Sequence, residues 1–158
     1  MWNRGGIESN DAAVVIKHPR ASCFSTKNRV RALTPEIRDE LFAYFTGVLR
    51  NSGCRVVQTG GVEDHVHILF VLSRTVTVAQ VTEKLKSSTS RWVKDKWLID
   101  FSCQAGYGAF SVGPREVDQI VGYIRNQEKH HQKVSFQDEF RELLREAGVE
   151  FEERFLWD

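Results

Sequence analysis

The stretch CRVVQTGGVEDHVHILFVL, residues 54–72, decides the reading of the fold. It contains two apolar runs, CRVVQTGG and HVHILFVL, joined at Gly60–Gly61 and the acidic turn after them, and so predicts two neighbouring strands. Alternation along the second run sends His65 and His67 to one face and Val66 to the other. Two imidazoles side by side on a core-like strand need a reason. One is a metal ion, for which a same-face histidine pair is half a site, with Glu63 and Asp64 just upstream able to orient a ring. The plainer alternative is a solvated sheet face on which the pair touches nothing special. Further ligands would have to come from His18, His130, His131 or a carboxamide or carboxylate elsewhere. Two histidines plus an oxygen ligand leave open positions, which suits Mg²⁺ or Mn²⁺ polarising a phosphate better than a closed structural zinc.

Outward from this hairpin the chain alternates strands and helices. VVIKHPRASCFSTKNRV (14–30) reads as strand material interrupted by Pro19. LTPEIRDELFAYFTGVLRNSGC (33–54) predicts a helix capped by Thr34, with Pro35 in its first position, Ile37, Leu41, Tyr44, Phe45, Val48 and Leu49 as its apolar stripe, and Gly53 at its end. TVAQVTEKLKSSTSRWVKDKW (77–97) predicts a second helix with Val78, Val81, Leu85 and Trp92 turned inward. GYGAFSV (106–112) is a short strand, and GPREVDQIVGYIRNQEKHHQK (113–133) reads as one third helix starting at Pro114. A fourth helix is capped by Ser135 and closes near Gly148. The order β-α-β-β-α-β-α-α is the split βαβ pattern. It predicts an α+β, ferredoxin-like antiparallel sheet with helices on one face, plus a C-terminal helix.

With 158 residues the chain is long enough for one full core. We expect a single domain over 1–158. Its longest uncharged apolar run, Ile68 to Leu72, is too short to span a bilayer, and MWNRGGIESND lacks the apolar core of a signal peptide, so no membrane partner and a cytoplasmic location are expected. Cys23, Cys54 and Cys103 are scattered and odd in number, which argues for reduced thiols rather than a disulfide framework or a zinc ribbon. Net charge is +1, but residues 135–158 sum to −5 and the remainder to +6. Basic clusters lie at Lys17–Arg31, which includes Lys27 and Arg29, and along Lys84–Lys96, which includes Arg91. A basic body with an acidic C-terminal extension fits a polyanion, and equally a solvated surface.

In YIRNQEKHH (123–131), Tyr123 and Gln127 are four apart and share one helix face. A phenol hydroxyl and a carboxamide oxygen can thus be presented together. Taken alone, this is also what an amphipathic tyrosine at a core edge with a solvated glutamine looks like. His130 and His131 suit a helix C-terminus as cations.

A strand with His-hydrophobic-His, followed some sixty residues later by a helix with Tyr and a Gln four residues on, resembles the HUH nucleases. More closely, the chain resembles the single-tyrosine transposases of the insertion-sequence 200/605 family. The matching stretches, in family order, are FSTKNR (24–29), GGVEDHVHILF (60–70), STSRW (88–92), GYGAFSV (106–112) and residues 123–158. The first twenty or so residues match poorly, and Lys17, His18, Pro19 and Arg20 interrupt what is an apolar run in the family. The resemblance implies Tyr123 as nucleophile, His65, His67 and Gln127 as ligands of Mg²⁺ or Mn²⁺, and single-stranded DNA with a hairpin as substrate. It also implies cleavage and rejoining through a 5′-phosphotyrosine link, and a homodimer whose tyrosine helix can complete the partner subunit's site. Lys27, Arg29, Arg31, Lys84 and Arg91 are candidate backbone-phosphate contacts. Trp92, Trp97 and Phe110 could stack bases if exposed. The alternatives are a non-catalytic nucleic-acid-binding module of the same β-α-β-β architecture, for which HVHILF offers histidines where base-stacking aromatics are needed, and an inactive or domesticated remnant.

Overall fold

The computed structural model describes residues 19–156, without the side chains of residues 154 and 155. The start of the expected first strand, Lys17, the candidate ligand His18 and most of the poorly matching segment lie outside the described residues.

Four strands, β1 Pro19–Ser25, β2 Arg55–Gly61, β3 His65–Val71 and β4 Gly108–Ser111, pair antiparallel in the order β2-β3-β1-β4. β1 and β2 therefore run parallel with β3 between them, joined through α1 Pro35–Asn51. β3 and β4 do the same around β1 through α2 Val78–Trp97. This is the ferredoxin-like split βαβ arrangement expected above.

Local chemistry sets the helix ends. Pro35 stands at the first position of α1 after an extended Thr34, which makes no side-chain cap bond. Gly53, at φ +71, lets the chain leave α1 in a conformation costly for other residues. α2 opens on a capping box in which Thr77 Oγ1 accepts from Gln80 N (3.2 Å) and Gln80 Oε1 accepts from Thr77 N (2.9 Å). α5, Phe136–Glu146, is capped by Ser135 Oγ, which accepts from Asp138 N at 3.1 Å, and a single helical turn α6, Glu153–Leu156, follows.

The sheet is covered on both faces, which revises the expectation of helices on one face. Val66, Ile68 and Phe70 of β3 meet Ile37, Leu41, Phe45 and Leu49 of α1 and Val81, Leu85 and Val93 of α2 in the main core. Each such side chain contributes about 1.5–3 kcal/mol on burial. Pleating turns His65, His67 and Leu69 to the other face. There Leu69 packs against Ile124 of α3, Val117–Arg125, and Cys23 of β1 packs against Phe136, Phe140 and Leu144 of α5. The physical reason is that α3 and α5 carry narrow apolar stripes of their own, and only the open sheet face remains to receive them.

The third helix is also broken. Residues 114–116 form a turn, so Pro114 precedes α3 rather than starting it. At Asn126 (φ −98, ψ 18) the backbone leaves the helical region, and its side chain donates to Gly122 O at 2.9 Å beside its own backbone N–H, which bonds the same carbonyl at 3.1 Å. A single turn, α4 Gln127–His130, resumes beyond it. The three cysteines are free, and burial pushes the Cys23 thiol up to about 12, as fits an inert core thiol.

Candidate metal and tyrosine site

The His65–His67 face is a buried junction between β3, α3, α4 and α5. His65 begins β3 and is fully buried, and His67 lies opposite Cys23 of β1 and Gly60 of β2. Gly60 is there because nothing larger fits: a Cβ would stand 2.1 Å from the Ile124 carbonyl oxygen. That contact seats α3 on β2 and brings the Tyr123 ring to 5.7 Å from the His67 ring, centroid to centroid, within one chain. The Tyr123 hydroxyl is buried and has no hydrogen-bond partner. One turn on, Gln127 is 1 % exposed, not solvated, and its Oε1 lies 3.4 Å from His65 Nε2.

Two further groups join them. His131 Nε2 is 2.9 Å from His65 Nε2 and 2.9 Å from Gln127 Oε1. Glu139, carried by α5, puts Oε2 at 3.1 Å from His131 Nε2, 3.4 Å from His67 Nε2 and 3.8 Å from His65 Nε2. The ligand atoms of His65, His67, His131 and Glu139 all lie within 4.8 Å of one another.

The protonation pattern matters. His65 Nδ1 donates to Asp64 Oδ1 at 2.7 Å and His131 Nδ1 donates to the Val134 carbonyl at 2.8 Å. In a neutral ring each Nε2 is then a bare lone pair. Two lone pairs therefore face each other beside a carboxamide oxygen, a carboxylate oxygen and His67 Nε2. Neither Glu139 Oε2 nor His67 Nε2 has a hydrogen-bond partner. Burial pushes His67 below the ordinary histidine range, and burial followed by the neighbouring His65 pushes His131 down to about 4. Burial acts to raise the Asp64 carboxyl, but its bonds to His65 and Arg29 outweigh that and hold it low. Convergent acceptors without a donor are what a divalent cation satisfies, so the residues present fit such an ion.

The structure thus unites four sequence candidates, Tyr123, His65, His67 and Gln127, and adds His131 and Glu139. His131 was among the possible ligands. Glu139 was not singled out, although SFQDEF carries a signal: a glutamate between Phe136 and Phe140, on the stripe that α5 buries.

The basic candidates divide. Arg29 and Arg31 flank the site, with Arg29 3.4 Å from Asp64 and Arg31 3.2 Å from Glu63, and Lys27 is exposed in the same loop. Lys84 and Arg91 are exposed on α2, behind the sheet, so the two clusters do not form one surface with the site. Trp92 stacks on Tyr44 at 5.3 Å, Trp97 packs on the same core, and Phe110 packs beside α5, so none of the three is a free stacking platform.

A family model described as "Transposase IS200 like" matches residues 21–127, well over half of the chain. The chain belongs to the IS200-like transposase family. Transposases modify DNA. The matched span runs from β1 to Gln127 and stops short of His131 and Glu139. No curated protein matches this chain by sequence. Among solved structures, it is similar to a candidate transposase from Deinococcus radiodurans R1, at 21% identity and a TM-score of 0.61, over 75% of this chain and 97% of that one. It is also similar to a REP-associated tyrosine transposase bound to a REP hairpin, at 15% identity and a TM-score of 0.59, over 80% of this chain and 76% of that one. At these identities the likeness concerns the fold. Among the described residues no helix is long and apolar enough to cross a membrane.

Proposed function

We propose that this family member is a metal-dependent single-stranded DNA transposase of the HUH type, with Tyr123 as nucleophile and His65, His67 and Gln127 as metal ligands. One observation carries the reading. A buried, unpartnered phenol stands beside a buried cluster of imidazole and oxygen acceptors, 5.7 Å from the His67 ring.

Bound there, Mg²⁺ or Mn²⁺ would supply positive charge that offsets the charge of the scissile phosphodiester. Tyr123 Oη attacks phosphorus as the bond from phosphorus to the 3′ oxygen breaks. The phenol proton ends on that oxygen. The products are a 5′-phosphotyrosine link and a free 3′-hydroxyl, and the reversed step at a second junction rejoins DNA without an external energy source. Asp64 holds the His65 ring in the tautomer that points Nε2 inward. Lys27, Arg29 and Arg31 are assigned to backbone phosphates entering the site, and Lys84 and Arg91 to flanking DNA that passes behind the sheet. A DNA hairpin as the flanking element is supported by the hairpin bound to one structural relative.

The reading treats residues 1–158 as one domain acting on DNA in the cytoplasm. The homodimer implied by the resemblance is compatible with it, whereas an exchange of tyrosine helices between subunits is not part of the reading. The chemistry does not require the exchange, because the tyrosine helix already lies over its own chain's histidines.

The test is incubation with single-stranded oligonucleotides from the flanks of the gene, with Mg²⁺ or Mn²⁺. A covalent protein–DNA adduct, lost in Tyr123→Phe and on chelation, is expected. Specific hairpin binding with no adduct under either metal would instead identify a binding module or a remnant.

A further inference from the structure

We propose that Glu139 and His131 bind the same ion as His65, His67 and Gln127, and that this nitrogen-rich set selects first-row transition ions over Mg²⁺. The inference rests on the function proposed above, and it concerns residues beyond the stretch the family model matches.

Glu139 is the unexplained group. Its side chain is 4 % exposed and sits on the apolar stripe of α5, between Phe136 and Phe140. A buried carboxylate is costly unless paired. Among the described residues its ion-pair partners are histidines only, with no lysine or arginine. Oε1 is accounted for by the Gln127 carboxamide, which donates to it at 3.4 Å. Oε2 is not: it points into the acceptor cluster and takes no hydrogen bond. His131 is built the same way. Its Nδ1 is used on Val134 O, which leaves Nε2 aimed at His65 Nε2 and Glu139 Oε2. Each arrangement repels without a cation at the centre and attracts with one.

The donor set then bears on which ion. Three imidazole nitrogens and two oxygens are a poor match for Mg²⁺, which favours oxygen ligands and keeps its waters. They suit first-row transition ions, whose affinity for nitrogen sites rises from Mn²⁺ to Co²⁺. Of the two ions considered for the proposed chemistry, Mn²⁺ is the one this cluster favours. The segment from His131 to Glu139, joined to the site by these two ligands, would be ordered further when the ion binds.

The experiment uses the full chain, stripped with chelator and titrated with CoCl₂, MnCl₂ and MgCl₂. The readouts are the visible absorption of bound Co²⁺ and the loss of the free Mn²⁺ resonance signal. One ion per chain is expected, with Mn²⁺ held at least about tenfold more tightly than Mg²⁺ and Co²⁺ more tightly still. Glu139→Gln keeps the shape of the side chain and should weaken Mn²⁺ and Co²⁺ about 10- to 100-fold and change the Co²⁺ spectrum. His131→Gln should do the same, whereas Glu142→Gln, on the exposed side of α5, should do neither. Thermal melts of the stripped variants show whether each is folded. If Glu139→Gln misfolds, the His131→Gln titration decides by the same criteria. Unchanged Co²⁺ affinity and spectrum in Glu139→Gln, with affinity lost in His65→Ala, would overturn the inference and leave the proposed function standing. Affinity unchanged in His65→Ala as well would remove both. Mg²⁺ binding as tight as Mn²⁺ would overturn the selectivity.

Discussion

Gly60→Ala tests how the nucleophile is positioned. The added Cβ would lie 2.1 Å from the Ile124 carbonyl oxygen and 2.8 Å from Ile124 Cγ2, and ordinary contact begins at 3.4 Å, so the gap must open by about 1.3 Å. The nearest obstacle is backbone, so no side-chain rotation relieves it. α3 has to lift from β2, and Tyr123 precedes the clashing residue. Overpacking of this kind costs about 1–3 kcal/mol, or a fall of roughly 2–12 °C in Tm for a chain of this size. A displacement of about 1 Å at a reacting group costs on the order of 100-fold in rate. The assay pairs thermal melting with the rate of adduct formation on a hairpin oligonucleotide in Mn²⁺. Gly47→Ala is the control: in α1, with nothing within 4 Å of the new Cβ, it should leave the rate unchanged and add about 0.5–1 kcal/mol of helix stability. A Gly60→Ala protein with wild-type Tm and an adduct rate within about twofold of wild type would refute the claim that this close approach seats the tyrosine.

Three other outcomes are expected. Tyr123→Phe removes a buried hydroxyl that has no partner, so stability should hold or rise by up to about 1 kcal/mol while the adduct disappears; a large loss of stability would mean the hydroxyl is bonded after all. In the metal-free protein, His67 and His131 are held below the ordinary histidine range, His131 at about 4. The unfolded chain therefore takes up protons first, and stability should be complete above about pH 6.5 and decline as pH falls toward 4; melts that stay flat across that window would contradict this. Arg38, buried in α1, donates to Leu33 O at 2.9 Å and to Glu128 Oε1 at 2.6 Å, tying α1 to α4. Arg38→Met should cost about 1–3 kcal/mol in urea unfolding, and a change under about 0.5 kcal/mol would show that the tie is idle.

The element order was legible because β-α-β-β-α-β punctuation is local: Thr34–Pro35, Gly53 and Gly60–Gly61 each act within a few residues. That His65 shares a face with His67, and Tyr123 with Gln127, was legible for the same reason, since strand and helix periods set which side chains point together, whereas the joining of the two pairs into one site came only from the family resemblance. What was hidden depends on the path of the chain after Gln127. The break at Asn126 is a departure of one residue's backbone from helical angles, which helical periodicity does not register. The docking of α5 is decided by Phe136, Phe140 and Leu144 finding Cys23 and Phe110 across more than twenty residues, and only that docking delivers Glu139 to the histidines. The second covered face followed from the same long-range packing. The separation of Lys84 and Arg91 from Lys27 and Arg31 was likewise invisible until α2 had a side of the sheet.

The central claim is that one chain's own tyrosine meets its own histidine pair. Mixing Tyr123→Phe with a His65→Ala, His67→Ala protein tests it most directly, each variant being inactive alone. With both sites assembled within their own chains, the mixture should form no more adduct on the hairpin oligonucleotide than either protein by itself. Recovery of adduct on mixing, carried on the histidine-deficient chain, would mean that the phenol acts on a partner subunit's cluster and would contradict the account.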